Sequence, residues 1–219
     1  MIRRVVVVVD SSHRAARAVR EAARVAGRFE AQLEGVLVED EALLRLAGQP
    51  FARRFGVSTE AELDPEDVER EWRAIAARAR EVVERELSRF RVERGPPARV
   101  LRALGEGDAA LVGWGGWSPP GARRAPVRVL HDGTPLADRA VEVAEALAEG
   151  EADVEVWLAP GVSRERGRAL ADSRARTLRR AVAERPGGLL IVPAGSALAD
   201  RLAERSVATR FPCGVLIVS

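Results

Sequence analysis

The sequence contains no lysine, no asparagine and no tyrosine, and its one cysteine is Cys213. A single cysteine excludes a disulfide framework and a cysteine-rich metal site. A helix that spans a bilayer needs ~20 apolar residues. The apolar run near the start, Val5 to Val9, is far shorter and ends at Asp10. No small-residue cleavage site follows that run, so we expect a cytoplasmic protein with no membrane partner.

All 35 basic residues are arginines, and 33 acidic residues nearly balance them. Arginine and glutamate alternate along predicted helices, as in residues 69–71 and 84–86. That alternation is typical of a solvated, salt-bridged helix surface, whereas a nucleic-acid interface gathers basic charge on one face. We therefore expect no nucleic-acid partner. The scarcity of thermolabile side chains fits a heat-adapted protein, although a GC-rich genome would produce the same bias.

The first elements follow the pattern of a parallel α/β sheet. Val5 to Val9 is a continuous β-branched run, which is typical of a strand buried on both faces. Asp10 and Ser11 follow it, and an amphipathic helix then extends to Phe29. A second strand at Leu33 to Val38 completes a β-α-β unit, whose right-handed crossover implies parallel pairing.

The region that follows is less regular. Residues 39–59 predict a short helix and a loop that pack over the sheet, and Asp64 with Pro65 then starts a long helix. We expect its apolar face to extend to Phe90. The next predicted elements are a strand at Arg91–Glu93, a helix at Ala98–Leu104 and a strand at Ala109–Val112. Glycine and proline crowd residues 114–125, which we interpret as a boundary between two halves.

Beyond that boundary the opening pattern returns. Val127–His131 predicts a strand, and the four residues from Asp132 to Pro135 cap and start a helix over Leu136–Ala148. Asp132 stands 122 residues after Asp10, and the same offset aligns the helices that follow. The shared order of strand, aspartate, cap and helix indicates an internal repeat.

We therefore predict an α/β protein with Rossmann-like parallel sheets and flanking helices, built from two related halves. The first half spans residues 1–125 and carries a helical insertion. The second spans residues 126–219 and is shortened, with no third strand. The other elements predicted in it are strands at Val154–Leu158, Leu189–Val192 and Val215–Val218, and helices at Ser163–Glu184 and Ala197–Thr209.

Six short motifs stand at predicted strand ends and turns: Val5–Ser11, Val36–Glu41, Arg94–Pro97, Asp108–Gly113, His131–Pro135 and Phe211–Val218. Together they resemble the universal stress protein family, over most of the chain except residues 114–125. The resemblance implies a Rossmann-like sheet with helices on both faces. It also implies a homodimer or, where two units stand in tandem, an internal pseudo-dimer.

Many members of that family bind ATP, so the resemblance makes ATP the candidate cofactor and the strand ends its site. In the first half the residues that match the family's site are Asp10, Ser11, Val38, Gly113, Gly115 and Gly116. In the second half they are Asp132, Gly133 and Thr134. By the resemblance, the first aspartate lies near the adenine or the ribose, and a glycine loop after the fourth strand surrounds the phosphates.

That phosphate loop is interrupted. The family's loop has its third glycine after nine further residues, and here Pro126 stands at that position after Gly116. Proline has no N–H to donate to a phosphate. The corresponding loop of the second half offers one glycine, Gly195. We therefore expect a degenerate nucleotide site, in which neither half is complete.

Each candidate residue also has a structural interpretation. Asp10 and Asp132 could each hold a ribose hydroxyl or cap a helical turn, and we favour the cap for Asp132. The glycines at 113–116 could cradle a phosphate or form a linker, and the tryptophans at 114 and 117 could stack on adenine or contact the other half. His131 has no metal-ligand companion at useful spacing, so we expect no metal site and a solvated or structural histidine.

We therefore predict a non-enzymatic, stress-related binding or regulatory protein, with no catalytic residues. The alternatives are an interaction module that binds no nucleotide, and a slow ATPase of the adenine nucleotide α-hydrolase-like group. The interrupted loop argues against the ATPase, because phosphoryl transfer depends on positioned phosphates and metal. The sequence identifies no protein partner.

Overall fold

The computed structural model describes residues 1–9, 15–39, 41–47, 49, 53–55, 60–62, 64–86, 89–112, 126–148, 154–163, 176–177, 188–204 and 214–219. The helices in these ranges are α1 (Ala15–Arg28), α2 (Glu41–Ala47), α3 (Pro65–Glu86), α4 (Ala98–Arg102), α5 (Pro135–Ala148) and α6 (Ala197–Glu204). The strands are β1 (Arg4–Val9), β2 (Gln32–Glu39), β3 (Arg53–Phe55), β4 (Glu60–Glu62), β5 (Arg89–Arg94), β6 (Asp108–Val112), β7 (Val127–His131), β8 (Val154–Leu158), β9 (Arg176–Thr177), β10 (Leu189–Pro193) and β11 (Gly214–Val218).

Nine of these strands form one sheet in the order β5-β2-β1-β6-β11-β10-β7-β8-β9. Every neighbouring pair is parallel except β6 and β11, which are antiparallel. The sheet therefore consists of an N-terminal run (β5-β2-β1-β6) and a C-terminal run (β11-β10-β7-β8-β9) that point in opposite directions. The carboxyl ends of the strands in the N-terminal run lie along one edge of the sheet, which we call the first edge. The carboxyl ends of the strands in the C-terminal run lie along the opposite edge, which we call the second edge.

The valine run of β1 is buried on both faces, as its sequence predicts. Side chains of a strand alternate between faces. Accordingly Val5 and Val7 pack in one cluster, with α1 and α5, and Val6 and Val8 pack in another, with α4 and α6. Each fully buried valine contributes about 1.5–3 kcal/mol relative to an exposed one. The mostly parallel α/β sheet with helices on both faces is thus confirmed.

Backbone hydrogen bonds of Gly107 connect the two runs at their junction. Gly107 O accepts the N–H of Arg3 at 2.7 Å, and Gly107 N–H donates to Ser219 O at 3.1 Å. Gly107 has φ +83°, and a Cβ there would lie 2.7 Å from Arg3 Nε. The backbone conformation therefore favours glycine at this position, whereas the exposed side chain of Arg3 could move away from a Cβ.

Ion pairs cross the N-terminal run on the face that carries α4 and α6. Arg4 donates to both carboxylate oxygens of Asp108, at 3.1 and 2.5 Å, and to Glu34 at 3.1 Å, while Arg91 donates to Glu34 at 2.5 Å. Burial alone would raise the pKa of Asp108. The hydrogen bonds from Arg4 and from the N–H of Gly105 outweigh burial, so the pKa of Asp108 lies below its ordinary value.

One strand contradicts the predicted absence of a third strand in the second half. The expectation of a helix through residues 163–184 and of no third strand is wrong at Arg176–Thr177. These residues form β9, which pairs in parallel with Glu155 and Val156 of β8. The arginine- and alanine-rich sequence favours a helix locally, and pairing with β8 overrides that propensity. Residues 164–175 and 178–184 of the predicted helix lie outside the described residues.

Two expectations in the first half also need correction. The helix predicted to extend to Phe90 ends at Glu86, and Phe90 lies in β5, paired with Gly35. Spacing alone cannot mark where an apolar helix face gives way to a buried strand. Residues 39–59 contain α2 and strand β3, which forms an antiparallel hairpin with β4. Helix α2 packs against α3, with Ala47 beside Val68 and Trp72.

The remaining predicted boundaries agree with the described elements to within two residues, apart from the helix predicted at Ala197–Thr209. Its described part ends at Glu204, and residues 205–209 lie outside the described ranges. Among the helices of the described ranges, none is both long enough and apolar enough to cross a membrane.

We expect Asp108→Asn to lower the free energy of unfolding by about 1–2 kcal/mol at neutral pH, because Arg4 loses a charged acceptor in a largely buried position. The pKa of Asp108 is lower in the native state than in the unfolded chain, where it is about 3.9. The ionised group therefore stabilises the protein above about pH 4, and that stabilisation is lost as the pH falls through the native pKa.

Urea unfolding of wild type and variant, from neutral pH down to about pH 2.5, measures this effect, and the gap in unfolding free energy should narrow at the acid end. The matched control is Glu106→Gln. The Glu106 side chain is 80% exposed, and the change should cost less than about 0.5 kcal/mol. A gap of the same size at all pH values would contradict this role for the Asp108 carboxylate.

Candidate functional site

The predicted nucleotide-site residues that the structure describes lie at opposite edges of the sheet. Val38 stands near the end of β2 at the first edge, whereas Asp132 follows β7 at the second edge. The antiparallel pairing of β6 with β11 causes this separation. The two edges are a strand length apart, roughly 17 Å, so Val38 lies far from the turn that contains Asp132, Gly133 and Thr134.

At the first edge, three strand ends come together. Val9 ends β1 beside Leu37 of β2, and Leu111 of β6 pairs with Val7, which brings Val112 to the level of the last residues of β1. Val38 is 8% exposed and packs in the cluster beneath α4. Asp10, Ser11, Gly113, Gly115 and Gly116 lie outside the described residues, as do Trp114 and Trp117.

A buried carboxylate stands next to this edge. Glu39, the last residue of β2, accepts a hydrogen bond from Arg94 Nε at 2.8 Å, and its backbone oxygen accepts the N–H of Gly95 at 3.0 Å. The hydrogen bond to Glu39 is the largest of the effects that raise the pKa of Arg94. Glu39 is therefore a positioned carboxylate, held by Arg94 through its side chain and by Gly95 through its backbone.

At the second edge, the turn after β7 satisfies its own polar groups. Asp132 Oδ1 accepts both the N–H of Thr134 at 3.1 Å and its hydroxyl at 2.6 Å. Thr134 Oγ1 in turn accepts the N–H of Ala137 at 3.2 Å, which makes Thr134 the capping residue of α5. Gly133 has φ +89°, a conformation that favours glycine. Thr134 thus has the capping role that we predicted for Asp132, and Asp132 holds Thr134 in place.

A buried histidine braces the same turn. His131 is fully buried, its Nδ1 accepts the N–H of Gly133 at 3.2 Å, and its Nε2 lies 3.1 Å from Asp138 Oδ1. A backbone N–H can only donate, so Nδ1 must be unprotonated and Nε2 must carry the proton towards Asp138. His131 therefore has a structural role, which was one of the two roles expected for it.

The loop after β10 is built in a similar way. Ser196 is 4% exposed, and its Oγ accepts the N–H of Ala199 at 3.2 Å at the start of α6. Gly195 has φ +76°, and no atom lies within 4 Å of the position that its Cβ would take. The hydroxyl of Ser196 thus serves the helix start, while the backbone beside it stays open on one side.

Sequence reasoning missed the Arg94–Glu39 pair and the partner of His131. Asp138 lies seven residues after His131, beyond the turn and in the first turn of α5. The available signal was an acidic residue in a first helical turn, where the helix dipole favours it. The Arg94–Glu39 pair depends on the register of β2 with β5, which has no local sequence signal.

Solved structures of other proteins share this fold. A universal stress protein from Archaeoglobus fulgidus DSM 4304 superposes with a TM-score of 0.56 at 9% sequence identity, over 99% of this chain and 96% of that one. The chain has the fold of a universal stress protein. A protein from Pseudomonas aeruginosa UCBPP-PA14, assigned provisionally to the same family, gives a TM-score of 0.47 at 14% identity, over 99% of this chain and 93% of that one.

Sequence comparison adds nothing to this finding, since no family model matches the chain and no curated protein matches it. Because the identity is low, the comparison establishes the universal-stress-protein fold from shape alone. It does not extend to the residues of the nucleotide site. The fold itself agrees with the class that the motif resemblance implied.

If Thr134 is the cap of α5, Thr134→Ala should lower the free energy of unfolding by about 1 kcal/mol. Thr134→Ser retains the hydroxyl and is the matched control, with most of the stability kept. Urea unfolding at neutral pH measures both changes. Equal losses in the two variants would show that the methyl group, and not the hydroxyl, makes the contribution.

The hydrogen bonds of His131 predict a neutral imidazole with the proton on Nε2 at neutral pH. Long-range ¹H–¹⁵N correlation of the ring nitrogens distinguishes the two tautomers directly. The ring of an unbraced histidine, such as that in an unfolded sample in urea, serves as the reference. A proton on Nδ1 would contradict the contact with the Gly133 N–H.

Proposed function

We propose that this protein is a universal stress protein that acts in a stress response by binding, without catalysis, and that its adenine-nucleotide site is degenerate. The observation that carries the proposal is the combination of the fold with the three strand ends that meet at the first edge. In open α/β sheets, ligands bind outside the carboxyl ends of the strands, where neighbouring connections diverge. The residues that follow β1 and β6 include Asp10 and the glycines from Gly113 onward.

We assign the nucleotide to the first edge rather than the second. At the second edge, Asp132 and Thr134 already bond to each other and to α5, and Ser196 bonds to α6. A ligand there would have to compete with these intramolecular bonds. At the first edge, the interrupted glycine loop leaves fewer backbone donors for phosphates, so binding should be weak.

The proposal includes two related halves, residues 1–125 and 126–219, that form an internal pseudo-dimer. Two observations support it. Within each run the earliest strand, β1 or β7, lies between the second and the fourth strand of that run. In each run, a glutamate of the second strand also forms an ion pair with an arginine of the first strand on the same face. These pairs are Glu34 with Arg4 and Glu155 with Arg128.

Non-enzymatic action, a cytoplasmic location and the absence of nucleic-acid partners belong to the same proposal. Phosphoryl transfer needs phosphates and metal held in position. The Glu39 carboxylate near the first edge forms an ion pair with Arg94 at 2.8 Å. An interaction module with no nucleotide remains the competing function, and one ligand experiment separates the two.

Thermal unfolding with and without millimolar Mg-ATP tests the proposal, with ADP and AMP as further ligands. A ligand at ten times its Kd stabilises the native state by about 1.4 kcal/mol, which should raise Tm by about 3–5 °C in a chain of this size. We expect Asp10→Ala to abolish the shift and Asp132→Ala to retain it. Each variant is compared with its own ligand-free Tm, because Asp132→Ala also loosens the start of α5.

Loss of the shift in Asp132→Ala alone would move the site to the second edge and contradict our assignment. No shift with any of the three nucleotides would contradict the nucleotide site and favour the interaction module. Release of inorganic phosphate from Mg-ATP, measured over hours and abolished by Asp10→Ala, would contradict the non-enzymatic part.

A further inference from the structure

Strand β5 stands at one end of the nine-stranded sheet. It pairs with β2 on one side, and none of the strands in the described ranges pairs with it on the other, which we call the outer side. It spans six residues, whereas β9 at the opposite end of the sheet spans two. The N–H and C=O groups along the free side of a terminal strand are a template for a further strand.

Backbone hydrogen bonds show which groups of β5 point to the outer side. The N–H of Gly95 donates to Glu39 O at 3.0 Å. The carbonyl of Arg94 belongs to the same planar peptide unit and therefore points away from β2. In a strand, the N–H and C=O groups of alternate residues point to the same side. Those of Phe90, Val92 and Arg94 thus lie along the outer side.

The side chains of β5 alternate between the two faces of the sheet. Arg91 forms ion pairs with Glu34 and with Glu93, on the face that carries α4 and α6. Val92 lies on the other face and is 40% exposed, although it stands in the middle of the strand. The strand therefore carries two opposite charges on one face and an exposed aliphatic side chain on the other.

The charges of β5 favour one register with a second copy of the strand. A closed dimer has a two-fold axis, which requires antiparallel strands, and the residues that point outward must lie opposite each other. When Val92 lies opposite the partner's Val92, Arg91 lies opposite the partner's Glu93. A shift of two residues in one direction brings Arg91 opposite the partner's Arg91, and in the other direction it brings Glu93 opposite the partner's Glu93. Like charges directly opposite are destabilising.

We propose that two copies of this protein associate through their β5 strands, antiparallel, about a two-fold axis at Val92. Val92 exchanges both backbone hydrogen bonds with the partner's Val92, and Phe90 does so with the partner's Arg94. On the face of α4 and α6, Arg91 and Glu93 lie opposite the partner's Glu93 and Arg91. This charge complementarity identifies the occupant of the outer side as a second copy of the chain.

This contact lies at the end of the sheet, away from the junction of β6 and β11 at which the two runs of one chain meet. It joins the sheets of two copies into one, and it does not require nucleotide binding at the first edge. An interface made by one strand from each copy is at the low end of the size range of specific contacts. We therefore expect a reversible dimer with a Kd of about 0.1–1 mM.

Sedimentation equilibrium of the full chain, up to about 1 mM protein, measures the association. Val92→Pro removes the outward N–H at the two-fold axis and leaves the hydrogen bonds to β2 in place. We expect it to weaken association at least about tenfold. Val92→Thr is the matched control, because it retains the N–H and the β-branched side chain, and its Kd should lie within about threefold of wild type.

Charge reversal tests the register. Glu93→Arg brings arginines opposite each other and Arg91→Glu brings glutamates opposite each other, so each variant alone should associate at least about tenfold more weakly. In an equimolar mixture, opposite charges meet at both positions, and association should return to within about threefold of wild type. Because Arg91 also pairs with Glu34, a ¹H–¹⁵N spectrum checks that each variant is folded. If Arg91→Glu does not fold, the two Val92 variants decide.

Wild-type protein that stays monomeric up to about 1 mM would overturn the proposal. The outer side of β5 would then be either protected by its charges or open to a strand of a different protein. Association that Val92→Pro leaves unchanged would place the contact elsewhere on the molecule and would also overturn it. The same holds for a mixture of folded charge variants that stays monomeric. The nucleotide melt has a separate readout, so failure here leaves the nucleotide assignment intact.

Discussion

The antiparallel pairing of β6 with β11 is the constraint on which the rest of the structure depends. Ile217 opposite Ala110 and Leu216 opposite Leu111 join two parallel runs into one sheet. This single reversal of direction places the carboxyl ends of the two runs at opposite edges. It also brings Ser219 to Gly107, where a residue with a side chain would meet Arg3. The strands that precede Asp10 and Asp132 in the sequence therefore end at different edges.

At the second edge, the polar groups of the turn after β7 are satisfied by hydrogen bonds within the protein. Thr134 and Ser196 each cap a helix, and His131 uses both ring nitrogens to hold the turn and the first turn of α5. Buried polar groups are costly unless they are paired, so these contacts stabilise the fold. The first edge has an ion pair between the buried Glu39 and the exposed Arg94, and three converging strand ends. The residues that follow these strands in the sequence include an aspartate and glycines.

Much of the fold could be predicted because its signals are local. The run at Val5 to Val9 is apolar and β-branched, which is sufficient to predict a buried strand. Asp132 follows Val127–His131 as Asp10 follows the first run, and Pro65 marks the start of α3. The strand β9 could not be predicted, because pairing with β8 decides its conformation against local helix propensity. The direction of β11 relative to β6, and the pairing of Arg94 with Glu39, depend on contacts between segments far apart in sequence. For the site, the sequence could propose Asp132 and Thr134, but not that their polar atoms bond to each other.

The most direct test of this account is the pattern of cross-strand nuclear Overhauser effects between β6 and β11. In an antiparallel pair, alternate opposing residues bring their Cα atoms to about 4.5 Å, so strong Hα–Hα effects should connect alternate pairs in the register of Ala110 with Ile217 and Leu111 with Leu216. That result would fix the two runs in opposite directions and the two candidate edges on opposite sides. The absence of these effects, together with contacts typical of a parallel pair, would contradict it and bring both aspartate turns to the same edge.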